Sequence, residues 1–454
     1  MKENFTLPAE VSAALGALHS RDHEAYLVGG CVRDALLGRP ISDYDITTSA
    51  LPEETEACFS NLRVIETGLQ HGTVTVLAGA YPLEITTFRT ESGYSDLRHP
   101  DTVSFTRSLR EDLSRRDFTV NAMARSPETG LVDLFGGEED LNNRVIRCVG
   151  NPDTRFGEDA LRILRALRFA AQLGFTLEHE TAESVHRNRE LLRAVAPERI
   201  FVELKKLLCG PGVREILLEY PDVLGVFLPE LLPMVGFDQH TKYHIYDVWT
   251  HTVEVVAHIP PEPVDRLSAL LHDIGKPASF FRDPDGTGHF YGHPAVSRRL
   301  SEEILTRLKA DNDTKNAVLL AVEHHDLVLE PTERSMRRGL NRFGREGLER
   351  ILRLQRADNL AQAPAYRGRQ EAVAEMERIA SELVAREECF SLKQLAVTGR
   401  DLKEAGFAPG PEMGDTLNAL LSHVLDGVLP NEKEALLAAA WQGVTLREWQ
   451  VESR

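Results

Sequence analysis

The spacing of apolar residues changes at about Glu158, and this change limits the folds that the chain can adopt. Before it, "EAYLVGG" is a short apolar run and "HGTVTVLAGAYPLEITTFR" alternates around a turn, which is typical of strands. After it, apolar residues recur at helical spacing, as in "GEDALRILRALRFAAQLGF", where Gly174 supplies the stop. We therefore predict an α/β domain over residues 1–145, followed by mostly α-helical regions.

The length and charge of the chain narrow its class. With 454 residues it is too long for one core and predicts two to four domains. No apolar run approaches the ~18–20 residues that span a bilayer, and we find no secretory signal. The five cysteines are scattered, and the net charge of −18 argues against a protein that coats nucleic acid non-specifically. We expect a cytoplasmic protein with no membrane association.

The stretch "YLVGGCVRDALLGRPISDYDI" joins a glycine turn to two aspartates spaced by one residue. Gly29 and Gly30 open a helical segment, whose free backbone N–H groups suit a triphosphate. On an extended segment Asp43 and Asp45 point the same way, so they could share Mg²⁺. Glu84 in "PLEITTF" is the candidate third carboxylate from an adjacent strand. For "DYD" alone, an acidic turn that binds nothing is the alternative interpretation.

Several motifs follow this stretch in a recognisable order. They are "EDLSRRDFTVNAMA", "LVDLFGGEEDL", "GEDALRILRALRFAAQLGF", "PERIFVELKKLL", "LAVTGRDLKEAGFAPGPEMGDTL" and "LPNEKEALL". Together with "GGCVRDALLG" and "DYD", they resemble the class II nucleotidyltransferases with a DNA-polymerase-β-like head, the tRNA CCA-adding enzymes and bacterial poly(A) polymerases. The match covers most of the chain outside its middle.

This resemblance implies both an architecture and an activity. Residues 1–145 would form the nucleotidyltransferase head, 146–235 a helical neck and body for base selection and RNA binding, and 366–454 a helical body and tail that bind tRNA. The chain would add CCA to tRNA 3′ ends from CTP and ATP without a nucleic-acid template. Asp43, Asp45 and Glu84 would be catalytic, with Mg²⁺ as cofactor, and no obligate protein partner is inferred.

The motif "EDALR" carries a donor and acceptor pair suited to base selection. Asp159 and Arg162 are three apart, so on a helix they share one face. A carboxylate accepts hydrogen bonds and a guanidinium donates them, which complements cytosine and adenine but not uracil or guanine. A mismatch would bury unpaired polar groups at a cost of about 1–3 kcal/mol each. Glu158 would brace the pair, and an ordinary solvated ion pair is the alternative.

The resemblance implies further nucleotide contacts. Asp117 would contact the ribose 2′-OH, and Arg116 and Asn121 would hold the phosphates or the loop. The remaining predicted nucleotide-binding residues are Gly29, Gly30, Arg33, Asp159, Arg162, Arg165 and Arg168. Residues 90–105 read as a mobile loop that would let the enzyme change from CTP to ATP.

The middle of the chain contains scattered histidines and aspartates, which suit one or two divalent metals. Their order resembles the HD superfamily of metal-dependent phosphohydrolases, over residues 236–365. We assign His251, His272, Asp273 and Asp358 to a first metal and His293 and His324 to a second, with His325 as the near-equal alternative to His324. A phosphodiesterase or phosphatase activity, for example on 2′,3′-cyclic phosphates at RNA ends, and an inactive scaffold both fit this set.

Three functions remain open at this point. The leading one is complete CCA addition. The second is a relative that adds only the final A, or a poly(A) polymerase. The third, of another class, is a hydrolytic protein whose head is a degenerate RNA-binding module, and the intact "DYD" and "EDALR" motifs count against it.

Overall fold

The computed structural model describes residues 7–94 and 98–443. The chain divides into two compact units: Met1–Leu232 with Arg307–Lys309, and Pro233–Thr306 with Ala310–Arg454. Within the described residues, no helix is both long and apolar enough to cross a membrane. The finer predicted division into four regions stays a prediction, and the last part of the predicted tail, residues 444–454, lies outside the described residues.

The first unit is an α/β domain that continues into helices. Its strands are β1 (Ala25–Val28), β2 (Asp45–Thr48), β3 (Arg63–Gly68), β4 (Thr73–Ala78), β5 (Tyr81–Thr87), β6 (Arg89–Ser92), β7 (Thr102–Phe105), β8 (Met123–Ser126), β9 (Gly130–Asp133), β10 (Val145–Ile146) and β11 (Thr176–Leu177). Its helices are α1 (Ala9–His19), α2 (Gly30–Leu36), α3 (Pro52–Cys58), α4 (Leu109–Ser114), α5 (Gly137–Asn143), α6 (Pro152–Glu158), α7 (Leu161–Leu173), α8 (His179–Asn188), α9 (Pro197–Leu208), α10 (Val213–Glu219) and α11 (Pro221–Leu224).

A seven-stranded mixed sheet organises the head, in the order β3-β4-β5-β2-β1-β8-β9. Strands β2 and β5 are parallel, and the other neighbouring pairs are antiparallel. Ile46 and Ile85 are neighbours on β2 and β5 and are almost fully buried. Burying each such side chain stabilises the fold by about 1.5–3 kcal/mol, which holds the two strands in register. The predicted α/β head followed by helices is confirmed.

Helix α7 shows why the second half of the first unit is helical. Its buried residues include Ile163, Leu164, Leu167 and Ala171, a spacing that forms one apolar face, and this face packs against α9. The helix ends at Gly174, whose φ of 67° lies in the left-handed region that glycine adopts without strain. The predicted stop is therefore confirmed.

The second unit is mostly helical. Its helices are α12 (Val248–His258), α13 (Pro263–Leu271), α14 (His293–Arg307), α15 (Asn312–His324), α16 (Glu333–Ala361), α17 (Arg369–Ala385), α18 (Gly399–Glu404), α19 (Pro411–Leu425) and α20 (Lys433–Trp441). A small antiparallel hairpin joins β12 (Phe281–Arg282) to β13 (Gly288–His289). Helices α12, α13, α15 and α16 pack on one another and enclose buried polar side chains.

Candidate functional site

The three predicted catalytic carboxylates lie on and beside two parallel strands. Asp45 begins β2 and is paired in register with Glu84 on β5. Asp43 lies in the irregular segment before β2 rather than on the strand, and its Oδ2 accepts a 2.9 Å hydrogen bond from Ser42 Oγ. Asp45 is half-buried, whereas Asp43 and Glu84 are exposed. The structure thus places the three carboxylates near one another. Asp43 is not on the strand, so the alternation of side chains along a strand does not account for its position.

The charges around Asp45 favour a cation. Burial raises the pKa of Asp45, and the negative charges of Glu84 and Asp43 raise it further. The positive charge of Arg116 acts in the opposite direction. A divalent cation would relieve this repulsion, and carboxylate oxygens are the donors that Mg²⁺ prefers. In the part of the chain that the structure describes, the carboxylate oxygens of these three residues do not all lie within 4.8 Å of one another. Their donor chemistry nevertheless fits a divalent metal.

The glycine turn keeps space open beside Asp45. Gly29 has a φ of 74°, and a Cβ there would lie 3.4 Å from Arg116 Nη1 and 3.8 Å from Asp45 Oδ2. Helix α2 begins at the next residue, Gly30. The buried Nε of Arg116 has no hydrogen-bond partner among the described residues. Because a buried donor without a partner is costly, this atom suits a ligand oxygen such as that of a phosphate.

Three predicted nucleotide-binding arginines surround the ring of Phe169. The guanidinium carbons of Arg33, Arg165 and Arg168 lie 5.2, 5.3 and 3.9 Å from the ring centroid. Burial lowers the pKa of Arg168 to about 10, against the opposing effect of Glu203. Guanidinium groups on an aromatic face keep their charge while their N–H groups can still bind anions. Each guanidinium is also paired with a carboxylate: Arg33 with Asp34, Arg165 with Asp117, and Arg168 with Glu203.

Arg33 is held in place by its neighbours. Its Nε and Nη2 donate to the carboxylate of Asp34 at 3.0 and 2.9 Å, and its Nη1 donates to Asn121 Oδ1 at 2.7 Å. Asn121 in turn donates from Nδ2 to Asp117 Oδ1 at 3.2 Å. Three of the predicted nucleotide-binding residues, Arg33, Asn121 and Asp117, therefore form one hydrogen-bonded chain.

Asp117 is already engaged by an arginine. Its Oδ2 accepts hydrogen bonds from Nε and Nη2 of Arg165, and its Oδ1 also accepts one from Phe118 N at 2.9 Å. Burial would raise the pKa of Asp117, but Arg165 and the hydrogen bonds lower it to about 2. The resemblance to the family pointed to the ribose contact, and the pairing with Arg165 adds a structural role that sequence spacing did not predict.

The Asp117–Arg165 pair should contribute stability that depends on pH. A carboxyl with a pKa of about 2 when folded, against 3.8, contributes roughly 2 kcal/mol above pH 4. This contribution is lost as the pH falls from about 4 to about 2. Asp117→Asn should therefore lower the free energy of unfolding at pH 7 by roughly that amount in urea titrations, with a deficit that shrinks below pH 4.

The exposed pair of Glu190 and Arg193 supplies the control for this prediction. Both side chains are more than half exposed, so Glu190→Gln should change stability by less than about 0.5 kcal/mol. A deficit for Asp117→Asn that stays constant from pH 7 to pH 3 would show that the carboxylate charge is not its cause.

The predicted base-selecting pair, Asp159 and Arg162, has a different geometry from the one expected. Asp159 has extended angles, φ −134° and ψ 105°, and lies between α6 and α7 rather than on one helical face with Arg162. Arg162 Nη1 donates to Glu158, and its Nη2 donates to the carbonyl oxygen of Arg115 at 3.1 Å. Of the predicted pair, Arg162 is the member that hydrogen-bonds to Glu158, and the bracing role of Glu158 stays a prediction. The helix breaks here because the Asp159 side chain accepts a hydrogen bond from Leu161 N, which competes with helical bonding.

Asp159 is oriented by a residue that the sequence did not single out for this role. Arg199, on α9, donates from Nη2 to Asp159 Oδ2 at 3.0 Å. "PERIFVELKKLL" was recognised as a motif, but its distance from "EDALR" hid the contact. The side chains of the predicted pair therefore have different partners, Glu158 for Arg162 and Arg199 for Asp159.

Arg199→Ala should loosen base selection. Without its partner, the Asp159 carboxylate can rotate, so kcat/KM for CTP and ATP should fall about tenfold while relative UTP incorporation rises. The measurement is steady-state incorporation of each nucleotide into tRNA transcripts. Arg193→Ala, at a side chain that is 66% exposed, is the matched control and should change nothing. An equal loss for CTP, ATP and UTP would instead assign Arg199 to the support of the fold.

The predicted mobile loop is partly a hairpin. Strands β6 and β7 pair in antiparallel register, and residues 95–97 between them lie outside the described residues. Glu91 Oε1 accepts hydrogen bonds from Arg89 at 2.8 Å and Arg115 at 3.0 Å, and its Oε2 accepts one from Tyr94 Oη at 2.7 Å. Arg115, in the motif "EDLSRRDFTVNAMA", is a largely buried member of this network.

In the second unit, the predicted histidines and aspartates converge from five helical elements. His251 lies on α12, His272 and Asp273 follow α13, His293 begins α14, and Asp358 lies on α16. His325, directly after α15, joins them. Two groups have all their ligand atoms within 4.8 Å: His251 with His272 and Asp273, and Asp273 with His293 and His325. We call these residues the Asp273 centre.

Asp273 connects the two groups through its two oxygens. Its Oδ2 lies 3.1 Å from His272 Nε2 and 3.5 Å from His251 Nε2. Its Oδ1 lies 3.2 Å from His293 Nε2 and 3.6 Å from His325 Nε2. A carboxylate between two pairs of imidazoles is an arrangement that suits two divalent cations.

The imidazoles are oriented by backbone carbonyls. The Nδ1 atoms of His272, His293 and His325 lie 2.8, 2.9 and 2.7 Å from the carbonyl oxygens of Ala269, Phe290 and Val322, respectively. This arrangement leaves each Nε2 facing Asp273 and is typical of metal-ligating histidines. His272 Nε2 and both carboxylate oxygens of Asp273 are buried, and Lys276 Nζ lies 2.6 Å from Asp273 Oδ2. These observations fit a metal centre.

The electrostatics of the Asp273 centre also favour cations. Burial opposes ionisation of Asp273, but His272 and Lys276 hold its pKa well below the usual range. Asp358 Oδ1 lies 2.9 Å from His251 Nε2, and against burial this neighbour lowers the pKa of Asp358. The carboxylates therefore stay ionised, as ligands must be.

His324 does not reach the Asp273 centre. Its ring packs against Phe343, with centroids 4.9 Å apart, and burial lowers its pKa. The alternative that we left open, His325, is the histidine that the structure brings to Asp273. At the end of a helix, adjacent residues point about 100° apart, so only one of the two can face the centre.

Comparison with known proteins agrees with the head motifs. The family model described as the poly A polymerase head domain matches residues 25–147, the RNA- and SrmB-binding site of polymerase A matches 174–234, and tRNA nucleotidyltransferase domain 2 matches 295–440.

Similar proteins cover nearly the whole chain. A CCA-adding enzyme of Levilactobacillus brevis is 38% identical over 95% of this chain and 98% of its own length. One of Streptococcus thermophilus is 36% identical over 95% and 97%. The solved Bacillus stearothermophilus CCA-adding enzyme in complex with CTP has 30% identity and a TM-score of 0.72, covering 99% of this chain and all of its own. The chain therefore belongs to the CCA-adding enzymes, a family of tRNA nucleotidyltransferases.

Proposed function

We propose that the first unit adds C, C and A to tRNA 3′ ends, taking the nucleotides from CTP and ATP, with selection by protein side chains instead of a template. The observation that carries this proposal is the pairing of Asp45 with Glu84 on adjacent parallel strands, with Asp43 preceding Asp45 and Gly29 keeping space beside it. The Bacillus stearothermophilus relative was solved with CTP, which supports the same ligand here.

Asp43 and Asp45 would hold the metal, for which we propose Mg²⁺. When bound, the metal favours the ionised form of the attacking hydroxyl and neutralises the leaving pyrophosphate. In the reaction, the terminal tRNA hydroxyl forms a bond to the α-phosphorus, the bond to the pyrophosphate oxygen breaks, and the hydroxyl proton passes to solvent. The contribution of Glu84 is its negative charge beside Asp45.

The arginines bind and orient the triphosphate. Arg33, Arg165 and Arg168 would bring guanidinium groups to the triphosphate from around Phe169, and Nη1 of Arg116 lies beside the glycine turn. Holding the triphosphate in one place converts the reaction into an effectively unimolecular step. Asn121 keeps Arg33 in position by accepting its hydrogen bond.

Base selection rests on Asp159 and Arg162. Asp159 offers carboxylate oxygens to the exocyclic amine of cytosine or adenine, and Arg162 offers N–H groups to the ring nitrogen. Asp117 is the proposed ribose contact, after its exchange of an Arg165 hydrogen bond for the 2′-OH. Uracil and guanine present the opposite pattern and would leave these groups unpaired.

The test is incorporation into three tRNA transcripts that end at the discriminator base, at C and at CC, each with CTP, ATP or both. We expect CCA on the shortest transcript when both nucleotides are present. Addition of A alone, and only to the transcript ending in CC, would make the chain an A-adding enzyme. Long A tails on all three would make it a poly(A) polymerase, and no incorporation would reject the proposal.

A second activity is favoured by the Asp273 centre. We propose that residues 236–365 form an HD-like metal-dependent phosphohydrolase that acts on 2′,3′-cyclic phosphates. His251, His272, Asp273 and Asp358 would hold one divalent metal, and His293 and His325 a second. When bound, the metals supply a hydroxide equivalent at neutral pH. The water oxygen bonds to phosphorus, one ribose P–O bond breaks, and the freed ribose oxygen takes up a proton.

Hydrolysis of 2′,3′-cyclic nucleotides by the purified chain with Mn²⁺, Ni²⁺ or Mg²⁺ tests this second proposal. Product formation that stops on chelation and returns with one metal would support it. Bound metal without hydrolysis would make the centre a structural scaffold. We further propose a cytoplasmic protein that needs no obligate protein partner for either activity.

A further inference from the structure

An exposed tyrosine, Tyr291, and a half-buried histidine, His289, lie beside the Asp273 centre. A cavity of about 700 Å³ is lined by Asp273, His293 and Asp358 and also by Tyr291 and His289. Tyr291 is 75% exposed, an unusual state for a ring that could bury its apolar surface. Nothing in the proposed hydrolytic chemistry uses this ring.

Tyr291 forms one half of a rigid stack. Its ring lies parallel to that of His289, with centroids 5.1 Å apart and an interplanar angle of 6°. His289 Nε2 lies 2.7 Å from Asp283 Oδ2, and His289 is paired with Phe281 in the β12–β13 hairpin. One face of Tyr291 is therefore covered by a fixed neighbour, while most of its surface remains open to solvent.

Tyr291 is close enough to the proposed metals for a single nucleotide to contact both. Tyr291 and His293 are two residues apart, so their Cα atoms are separated by at most ~7 Å. In a nucleotide, a single ribose separates the base from its phosphate. A phosphate at the Asp273 centre would therefore place its base within reach of the open face of Tyr291.

The cavity also contains lysines that could contact a phosphate bound at the metals. Lys242 and Lys276 both line it. Lys276 Nζ donates to Gln239 Oε1 at 2.9 Å and lies 2.6 Å from Asp273 Oδ2, so its charge is fixed beside the centre. A ligand that fits this cavity would have an anionic group near the metals and a flat apolar group near Tyr291, and a nucleotide has both.

We propose that Tyr291 is a stacking platform for the nucleobase of the substrate, so that the Asp273 centre takes nucleoside phosphates in preference to base-free phosphate esters. This inference rests on the proposed phosphohydrolase function. Because every base has a flat π-face, the platform accepts all four bases. The base can come from a free mononucleotide or from the 3′ end of an RNA, and the two sources are separated by experiment.

The test compares substrates with and without a base. Wild type and variants of the full chain, loaded with Mn²⁺, receive guanosine 2′,3′-cyclic phosphate, methyl riboside 2,3-cyclic phosphate, or an RNA oligonucleotide ending in a 2′,3′-cyclic phosphate. Guanosine is chosen because the proposed base-selecting pair of the head excludes it. Tyr291→Ala should raise KM for the guanosine substrate about tenfold and leave the base-free substrate unchanged.

Two further variants control for structure. Tyr291→Phe keeps the ring and should behave as wild type. Phe281→Ala removes a 55% exposed ring on the same hairpin that does not line the cavity, and it should also behave as wild type. If Tyr291→Ala raised KM equally for substrates with and without a base, the proposal that Tyr291 stacks on the base would be wrong. A tenfold effect on the oligonucleotide but not on the mononucleotide would support it and assign the base to RNA.

Failure of hydrolysis itself would be distinguishable. If no variant hydrolyses any substrate, binding of guanosine 3′-phosphate to the Mn²⁺-loaded chain is measured by calorimetry. Weaker binding to Tyr291→Ala than to Tyr291→Phe would retain the platform while rejecting the phosphohydrolase. Equal binding to both variants would reject the platform as well.

Discussion

Replacement of Asp43 and Asp45 together by asparagine is expected to lower CMP and AMP addition by at least ~10³-fold. Asparagine keeps the size of each side chain but removes the two negative charges that would hold the metal. The loss should appear in kcat on all three tRNA transcripts, because it affects the chemical step and not the recognition of a base. Burial and the charge of Glu84 already raise the pKa of Asp45, so removal of charge should not destabilise the head.

Two controls make this result specific. Glu66→Gln removes an exposed carboxylate from β3 of the same sheet and should leave addition unchanged. Hydrolysis at the Asp273 centre, measured on the double variant, should also be unchanged. Addition at more than a tenth of the wild-type rate by Asp43→Asn/Asp45→Asn would remove both residues from the mechanism.

Asp273→Asn is expected to empty the second centre of metal and to lower hydrolysis by at least ~10³-fold. Asp273 stands between both groups of histidines, so its carboxylate is needed by each. Metal content by mass spectrometry should fall from about two ions per chain to none. Addition of C and A by the same variant should match wild type, which reports on folding of the head.

The neighbouring histidines supply a matched pair for this experiment. His325→Ala removes an imidazole beside Asp273 Oδ1 and should lower both metal content and hydrolysis. His324→Ala removes an imidazole that packs on Phe343 and should leave both unchanged. The reverse pattern would show that our assignment of the second group is wrong.

The second unit illustrates how far residue order alone can lead. The pattern of histidines and aspartates was sufficient to nominate His251, His272, Asp273, His293 and Asp358, and the structure brings all five together. It left His324 and His325 nearly equal, because both have the right chemistry at the right place in the order. Only the direction in which α15 ends separates them.

The head illustrates the complementary limit. Helical spacing placed Asp159 and Arg162 on one face, but Asp159 interrupts the helix and binds Arg199 from α9. Asp117 was assigned through resemblance, and its ion pair with Arg165 lies across 48 residues. Contacts of this kind depend on the packing of whole elements, which periodicity does not report.

The sequence by itself determined the fold class through its apolar periodicity, and the family through the order of its motifs. It also nominated most of the side chains discussed at the two candidate sites, partly from ligand types and partly from the resemblance to the family. The tertiary structure alone decided which of those side chains meet. It paired Asp45 with Glu84 across two strands, gave Arg162 and Asp159 different side-chain partners, selected His325 over His324, and placed Tyr291 beside the Asp273 centre. The physical reason is that such contacts are made by residues far apart in the chain, whose directions are set only when the elements that carry them pack.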